Sequence, residues 1–163
     1  MQKGNVDAFE DIYKVMYRPI YAIAYSIVHD KFLADDVVHD TFIRIYTQIS
    51  KFDGRNALGW IYSIAHNTAL NMQNQRIREQ TEDDVELYCE PFKFEDDISN
   101  KDLINRLFRE LKEDERLILL YHIIGGLKFG EISNLYNIPI GTILSKYHRT
   151  IKKLRQKVVN KID

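Results

Sequence analysis

Between Phe129 and Leu154 a short apolar-periodic stretch, three punctuating residues and a longer basic stretch follow one another. Few folds accommodate that order. Gly130 to Tyr136 suits a short helix, and Asn137-Ile138-Pro139 interrupts it before the apolar spacing resumes. A tight turn between crossed helices needs one residue with positive φ, which Asn tolerates better than anything except Gly. Pro139 suits a first helical position, where its missing N–H has no intrahelical partner to lose. Ile132, Ile138, Ile140 and Ile143 are placed to lock the two helices together. The pattern is that of a helix-turn-helix.

The second of these helices sorts by face. Ile140, Ile143, Tyr147, Ile151 and Leu154 form the stripe expected to be buried, and Thr142, Ser145, Lys146, Arg149 and Lys152 fall on the other side. Short hydroxyl side chains near its N-terminus suit base edges in the major groove, and the later Lys and Arg suit phosphates. A basic helix end that merely complements the macrodipole explains the last turn. It does not explain the turn chemistry and the preceding short helix together, so DNA binding is the favoured reading.

Net charge is −1, which by itself says nothing of nucleic acid, but the charges are segregated. Nine acids stand between Glu79 and Asp97 against Lys93 alone, while seven bases from Ile140 onward face only Asp163. An acidic middle is followed by a basic tail.

Seven glycines and three prolines in 163 residues leave little turn punctuation, which favours a mostly helical protein. Phe9, Ile12, Tyr13, Met16, Tyr17, Ile20, Tyr21, Ala24 and Ile27 recur at helical spacing, and Pro19 is expected to bend or divide that helix near Arg18. The aromatic series Phe9, Tyr13, Tyr17, Tyr21, Tyr25 has the form of a base-stacking platform. Core packing is the preferred reading, because steps of four line a buried face.

Asp30 is placed to cap a second helix, with Asp35 and Asp36 near its positive end and Leu33, Val37, Phe42, Ile45 and Ile49 inward. Lys51 to Arg55 reads as a turn. A third helix runs from about Ala57 to Arg78 with Trp60, Ile61, Ile64, Ala65 and Thr68 inward. The acidic stretch through residue 98, which contains Pro91, reads as a linker. Leu103, Leu107, Leu111, Leu117, Leu120, Ile124, Ile132 and Leu135 begin the core of a second domain. The expected fold is all-α: small helical domains at 1–78 and 99–163 joined by a flexible acidic linker at 79–98.

A lone cysteine, Cys89, excludes an internal disulfide and a cysteine-cluster metal site. With no secretion signal and no apolar run of membrane-spanning length, a soluble cytoplasmic chain without membrane insertion is expected.

Two further faces carry function. Asp36, His39, Asp40 and Ile43 lie at spacings of three, four and seven on one helix face. An apolar residue beside two acids suits docking on a basic protein surface. Asp36-x-x-His39 also resembles half of a di-iron bundle site, but such a site needs a second carboxylate-x-x-His copy, and none exists. A plain solvated acidic face is the remaining reading. On the third helix Asn67, Asn71, Gln73 and Asn74, with Arg76 and Arg78 after them, offer amides that both donate and accept, as reading opened bases requires.

Taken together these residues resemble the extracytoplasmic-function sigma factors of bacterial RNA polymerase along nearly the whole chain. Ala34-Asp35-Asp36-Val37-Val38-His39-Asp40-Thr41-Phe42 is similar to the family's acidic polymerase-docking helix. Trp60-Ile61-Tyr62-Ser63-Ile64-Ala65-His66-Asn67 is similar to the segment entering its promoter-reading helix. The run from Gly126 to Ile132, with Ile140 to Arg149, is similar to its second-domain helix-turn-helix.

The resemblance implies a sigma factor, not an enzyme and with no cofactor or metal, that binds core polymerase and directs it to promoters. Asp36, His39, Asp40 and Ile43 would meet the β′ clamp helices. Lys51, Phe52, Asp53, Arg55 and Asn56 in the loop, with Asn67, Asn71, Asn74 and Arg78 on the helix, would open and read the −10 element. Thr142, Leu144, Ser145, Lys146, Arg149, Lys152 and Lys153 would read the −35 element, while the second domain touches the β flap. The acidic linker would thread a positively charged channel of the polymerase. The free protein would be monomeric, and an anti-sigma factor is a further partner the resemblance allows.

This chain departs from the family pattern in places. His39 stands where Gln is usual, Lys128 and Gly130 replace a Ser cap and a carboxylate, and Leu144 replaces a frequent basic residue. One rival reading is a stand-alone helix-turn-helix regulator that acts without polymerase and dimerises. A helical metalloenzyme is the other.

Overall fold

Backbone hydrogen bonding closes within helices throughout the computed structural model, which describes residues 6–79 and 107–159, without the side chains of the first two. These stretches lie in two compact units. The first holds α1 (Val6–Val28), α2 (Lys31–Gln48) and α3 (Ala57–Glu79), each packed on the other two.

On α1 the residues Met16, Ile20, Ile23, Ala24 and Ile27 are buried, and Ile20, Ile23 and Ile27 lose all contact with solvent. Burying each such side chain favours folding by about 1.5–3 kcal/mol. Of the bend or division expected near Arg18, the division does not occur: Pro19 neither divides nor ends α1. The carbonyl it cannot pair with belongs to Val15, an exposed residue, so water has access to that turn.

Most of the aromatic series flanks this core instead of forming it. Tyr25 is buried, but Tyr17 and Tyr21 are half-buried and Tyr13 is exposed. The rings run along α1, with Tyr17–Tyr21 and Tyr21–Tyr25 near-parallel at 6.0 and 6.1 Å between centroids.

Two residues turn the chain from α1 to α2. His29 takes a left-handed φ of 55° and its N–H donates to the Tyr25 carbonyl. Asp30 then caps α2 as expected, accepting from the Leu33 N–H at 3.0 Å. Ala34, Val37, Val38, Thr41, Phe42 and Ile45 are the buried residues of α2, and Leu33 and Ile49 are only half-buried. On α3 the inward set is Ile61, Tyr62, Ala65, His66, Thr68 and Ala69. Trp60 and Ile64, expected inside, are half-buried, and the Trp60 ring lies 5.1 Å from that of Phe52.

In the second unit, Leu107, Leu111, Leu117 to Tyr121, Leu127, Ile132 and Ile143 form the core. Helix α4 (Glu113–Leu119) opens with the Lys112 N–H donating to the Glu115 carboxylate at 3.1 Å. It runs directly into a π-helical turn, Leu120–Ile124, that nothing in the apolar spacing signals. Gly126, at φ +68°, then reverses the chain into α5 (Phe129–Tyr136). The Lys128 N–H donates to Glu131 at 2.6 Å, the carboxylate half of a capping box, while the Glu131 N–H finds the Lys128 carbonyl at 2.9 Å in place of a Ser hydroxyl.

Asn137 adopts φ 52° and ψ 42°, the left-handed conformation the turn demands. Pro139 sits one position earlier than expected: its carbonyl accepts from Thr142 and Ile143, so it precedes α6 (Ile140–Val159) instead of beginning it. Ile143 and Thr150 are the fully buried residues of α6, while Tyr147, Ile151 and Leu154 are half-buried. Ile140 is 49% exposed and does not belong to the buried stripe. It projects over Gly130, where an added Cβ would meet its Cδ1 at 3.9 Å.

The acidic linker, Cys89 and Leu103 lie outside the described residues, except that Glu79 is the last residue of α3.

Candidate polymerase and promoter interfaces

The acidic face of α2 is open. Asp36, His39 and Ile43 are exposed and Asp40 is half-buried, on the side opposite Val37, Val38 and Ile45. Asp35, one step round the helix, accepts the Tyr17 hydroxyl at 2.6 Å. That hydrogen bond, with burial and the carboxylate charge, raises the Tyr17 pKa, so the phenol stays a donor and pins α1 beside this face.

Sequence reasoning missed Tyr46. It stands three residues beyond Ile43 on the same face, 65% exposed, with its ring edge-on to Phe9 at 5.8 Å. Continuing the three-four spacing from His39 by one more step would have found it.

The amide face of α3 is also intact. Asn67, Asn71, Asn74 and Arg78 are all exposed and follow at intervals of four, three and four, so they share one side of the helix. Arg76 points elsewhere, into an ion pair with Asp30 at 3.2 Å.

The loop before α3 is ordered by its own side chains. Asp53 accepts from the Arg55 N–H at 3.1 Å across Gly54, whose φ is +82°. Asn56 caps α3 by accepting from Gly59 N–H at 2.9 Å, and a Cβ on Gly59 would come within 2.3 Å of that amide. Its oxygen is therefore committed to the helix end, while Lys51, Asp53 and Arg55 stay exposed and Phe52 half-buried. Beneath the amide face His66 is 8% exposed, and burial holds its pKa below the usual histidine value. Burial likewise pushes the neighbouring Tyr62 phenol up to about 12.

On α6, Thr142, Ser145, Arg149 and Lys152 are exposed and share one side. Ser145 donates to the Gly141 carbonyl at 2.7 Å, leaving its oxygen lone pairs outward. Leu144 is half-buried, on the flank away from that side.

Lys146 and Lys153, expected on the open face, are engaged within the unit. Lys146 pairs with Asp114, and Lys153 donates to the Glu110 carbonyl at 3.1 Å and lies 3.8 Å from Glu115. The partners stand some thirty to forty residues earlier in the chain, beyond what spacing along one helix reveals. Among the described residues no three potential metal ligands converge.

Residues 12–80 match the family described as sigma-70 region 2, and residues 101–154 match sigma-70 region 4. Together these span about three quarters of the chain, in that order. The ECF RNA polymerase sigma factor SigW of Bacillus subtilis is 28% identical, the alignment covering 97% of this chain and 92% of that protein. The chain belongs to the extracytoplasmic-function sigma factors.

The RNA polymerase sigma-H factor of Pseudomonas aeruginosa is 29% identical, over 91% of this chain and 85% of the relative. The fold is shared with the solved sigma factor RpoE of Bartonella quintana, there in complex with the anti-sigma factor NepR, at TM-score 0.75 and 21% identity. That likeness covers 92% of this chain and 95% of RpoE. A structure of CnrH in complex with the cytosolic domain of CnrY gives 0.64 at 19% identity, covering 97% and 92%.

This sigma factor directs core RNA polymerase to promoter DNA and is not itself an enzyme. Two family regions in sequence do not favour a stand-alone helix-turn-helix regulator. Among the described residues no helix is long and apolar enough to cross a membrane.

Proposed function

We propose a division of labour between the two units, acting in the cytoplasm on a monomeric chain. Residues 1–78 dock on the β′ clamp helices through Asp36, His39, Asp40 and Ile43, with Tyr46 extending the face. The same unit opens and reads the −10 element. Asn67, Asn71, Asn74 and Arg78 meet opened bases and backbone, and the loop holding Lys51, Phe52, Asp53, Arg55 and Asn56 receives the displaced strand. Unstacking a base costs only about a few kcal/mol, within reach of several such contacts.

Residues 99–163 read the −35 element in the major groove and touch the β flap. Thr142 and Ser145 address base edges, and Arg149 and Lys152 address phosphates. Residues 79–98, rich in acids, suit a basic channel of the polymerase. An anti-sigma factor is the kind of protein that would restrain such a chain.

One observation carries this reading: behind the left-handed Asn137, α6 turns a polar, basic face outward, with Thr142, Ser145, Arg149 and Lys152 all exposed. The test is transcription in vitro by core polymerase on a promoter library. Adding the chain should yield RNA from a defined subset of templates. Random or absent initiation, with core that responds to another initiation factor, would refute the proposal.

A further inference from the structure

Five of the six Lys and Arg residues of α6, all but Arg155, fall into two sets. Arg149 and Lys152 are exposed beside Thr142 and Ser145. Lys146, Lys153 and Lys157 follow at intervals of seven and four along the border between that face and the buried stripe, and each meets an acid. Lys146 pairs with Asp114, Lys153 faces Glu115, and Lys157 pairs with Glu110.

Asp114 is fully occupied by this arrangement: one carboxylate oxygen accepts the Glu115 N–H at 2.9 Å and the other accepts Lys146. The lysine hydrogen bond, the largest influence on Asp114, holds its carboxyl below the usual range, so the pair is charged at neutral pH. Lys146 comes four residues after Thr142 and three before Arg149, hence next to both on the helix surface. A flexible four-carbon stem there could reach phosphate if it were released.

We propose that Asp114 is a specificity-determining residue of the −35 unit, acting by withholding Lys146 from the DNA backbone. The idea rests on α6 being the DNA-reading helix. A lysine already matched with a carboxylate must give up that partner to neutralise a phosphate, so it adds little to sequence-independent binding. Phosphate neutralisation supplies nearly all of the nonspecific affinity. Removing a cation from that part of the interaction leaves a larger share of recognition to the base edges met by Thr142 and Ser145.

The experiment compares the full chain and its variants on a duplex bearing the −35 sequence and on a scrambled duplex, by fluorescence anisotropy over a salt series. Asp114→Asn should bind the scrambled duplex several-fold more tightly, and its salt dependence should steepen by about one ion. The preference for the −35 duplex should shrink. Lys146→Gln alone should leave the wild-type slope in place, and combined with Asp114→Asn it should abolish the extra ion.

An Asp114→Asn slope equal to wild type would overturn the proposal. So would Lys146→Gln losing about one ion by itself, since the lysine would then already grip phosphate. If Asp114→Asn does not fold, the Lys146→Gln arm decides alone. Chains that all fail to bind at the lowest salt also refute it, because freeing the lysine would have gained nothing. Arg149→Ala keeps the two levels apart. It should flatten the slope, and if it does not, the assignment of α6 to DNA fails and this inference with it. A flattened Arg149→Ala slope with an unaltered Asp114→Asn slope refutes the inference alone.

Discussion

Arg76 places its guanidinium 3.2 Å from one carboxylate oxygen of Asp30, whose other oxygen accepts the Leu33 N–H at 3.0 Å. One side chain thus caps α2 and holds the end of α3, the helix proposed to read opened promoter DNA. The two roles separate by substitution. Asn caps as well as Asp but carries no charge, so Asp30→Asn should lose only the half-buried ion pair, whereas Asp30→Ala loses both. Urea unfolding should show Asp30→Ala destabilised by about 1–2 kcal/mol and Asp30→Asn by clearly less. Equal losses would mean the cap contributes nothing.

The left-handed Asn137 makes the next prediction. Glycine accepts φ 52° freely, so Asn137→Gly should melt close to the wild type. A β-branched residue is strained there, and Asn137→Val should cost about 1–2 kcal/mol and weaken −35 binding with it. Thermal melting of the two variants, followed by duplex binding below the lower midpoint, checks both statements. A valine variant as stable as the glycine one would show that the turn does not depend on this conformation.

Asn137 and Asp30 illustrate what was legible beforehand: features a few residues long, in which a side chain answers its own backbone. Helix faces were legible as directions, and the outward sets on α2 and α3 follow from spacing alone. What lies across from a face was not. Lys146 and Lys153 look outward on a helical wheel, but the acceptors that hold them are the Asp114 and Glu115 carboxylates and the Glu110 backbone carbonyl in the turn before α4. Ile140 reads as core because it is apolar and in phase, though it lies over Gly130, which has no side chain to cover it. Trp60 reads the same way and instead rests on Phe52 at the loop. The π-helical turn at Leu120–Ile124 has no signature, since adding one residue to a turn leaves composition unchanged and shifts only the register.

Buried His66 predicts how the first unit responds to acid. Burial lowers its pKa in the folded state, while the unfolded chain takes up a proton near the ordinary value of about 6.5. Just below that value the unfolded state binds more protons, so stability rises with pH. The contribution is complete above about pH 6.5 and is lost as pH falls toward the lower folded value. The single tryptophan, Trp60, lies in the same unit and reports its unfolding. Urea midpoints read by its fluorescence should fall between neutral and mildly acidic pH, and His66→Gln should flatten that part of the profile. A wild-type midpoint that holds steady across the window would place the proton elsewhere.

The docking face of α2 should separate polymerase binding from folding. Asp36, His39 and Ile43 are exposed and Asp40 half-buried, so Asp36→Lys with Asp40→Lys should leave the helical content unchanged. Close charge pairs across an interface couple by about 1.5 kcal/mol or more each, so losing two should weaken capture by core polymerase on the order of a hundredfold. Ile43→Glu tests the apolar part of the same face. It buries a carboxylate against whatever receives Ile43 and should reduce capture comparably, whereas Val15→Glu, at a 72% exposed apolar site on α1 outside the face, should not. Reduced capture for Val15→Glu but not for Ile43→Glu would move the docking site to α1. Normal capture by the double charge reversal would remove the acidic face from polymerase binding altogether.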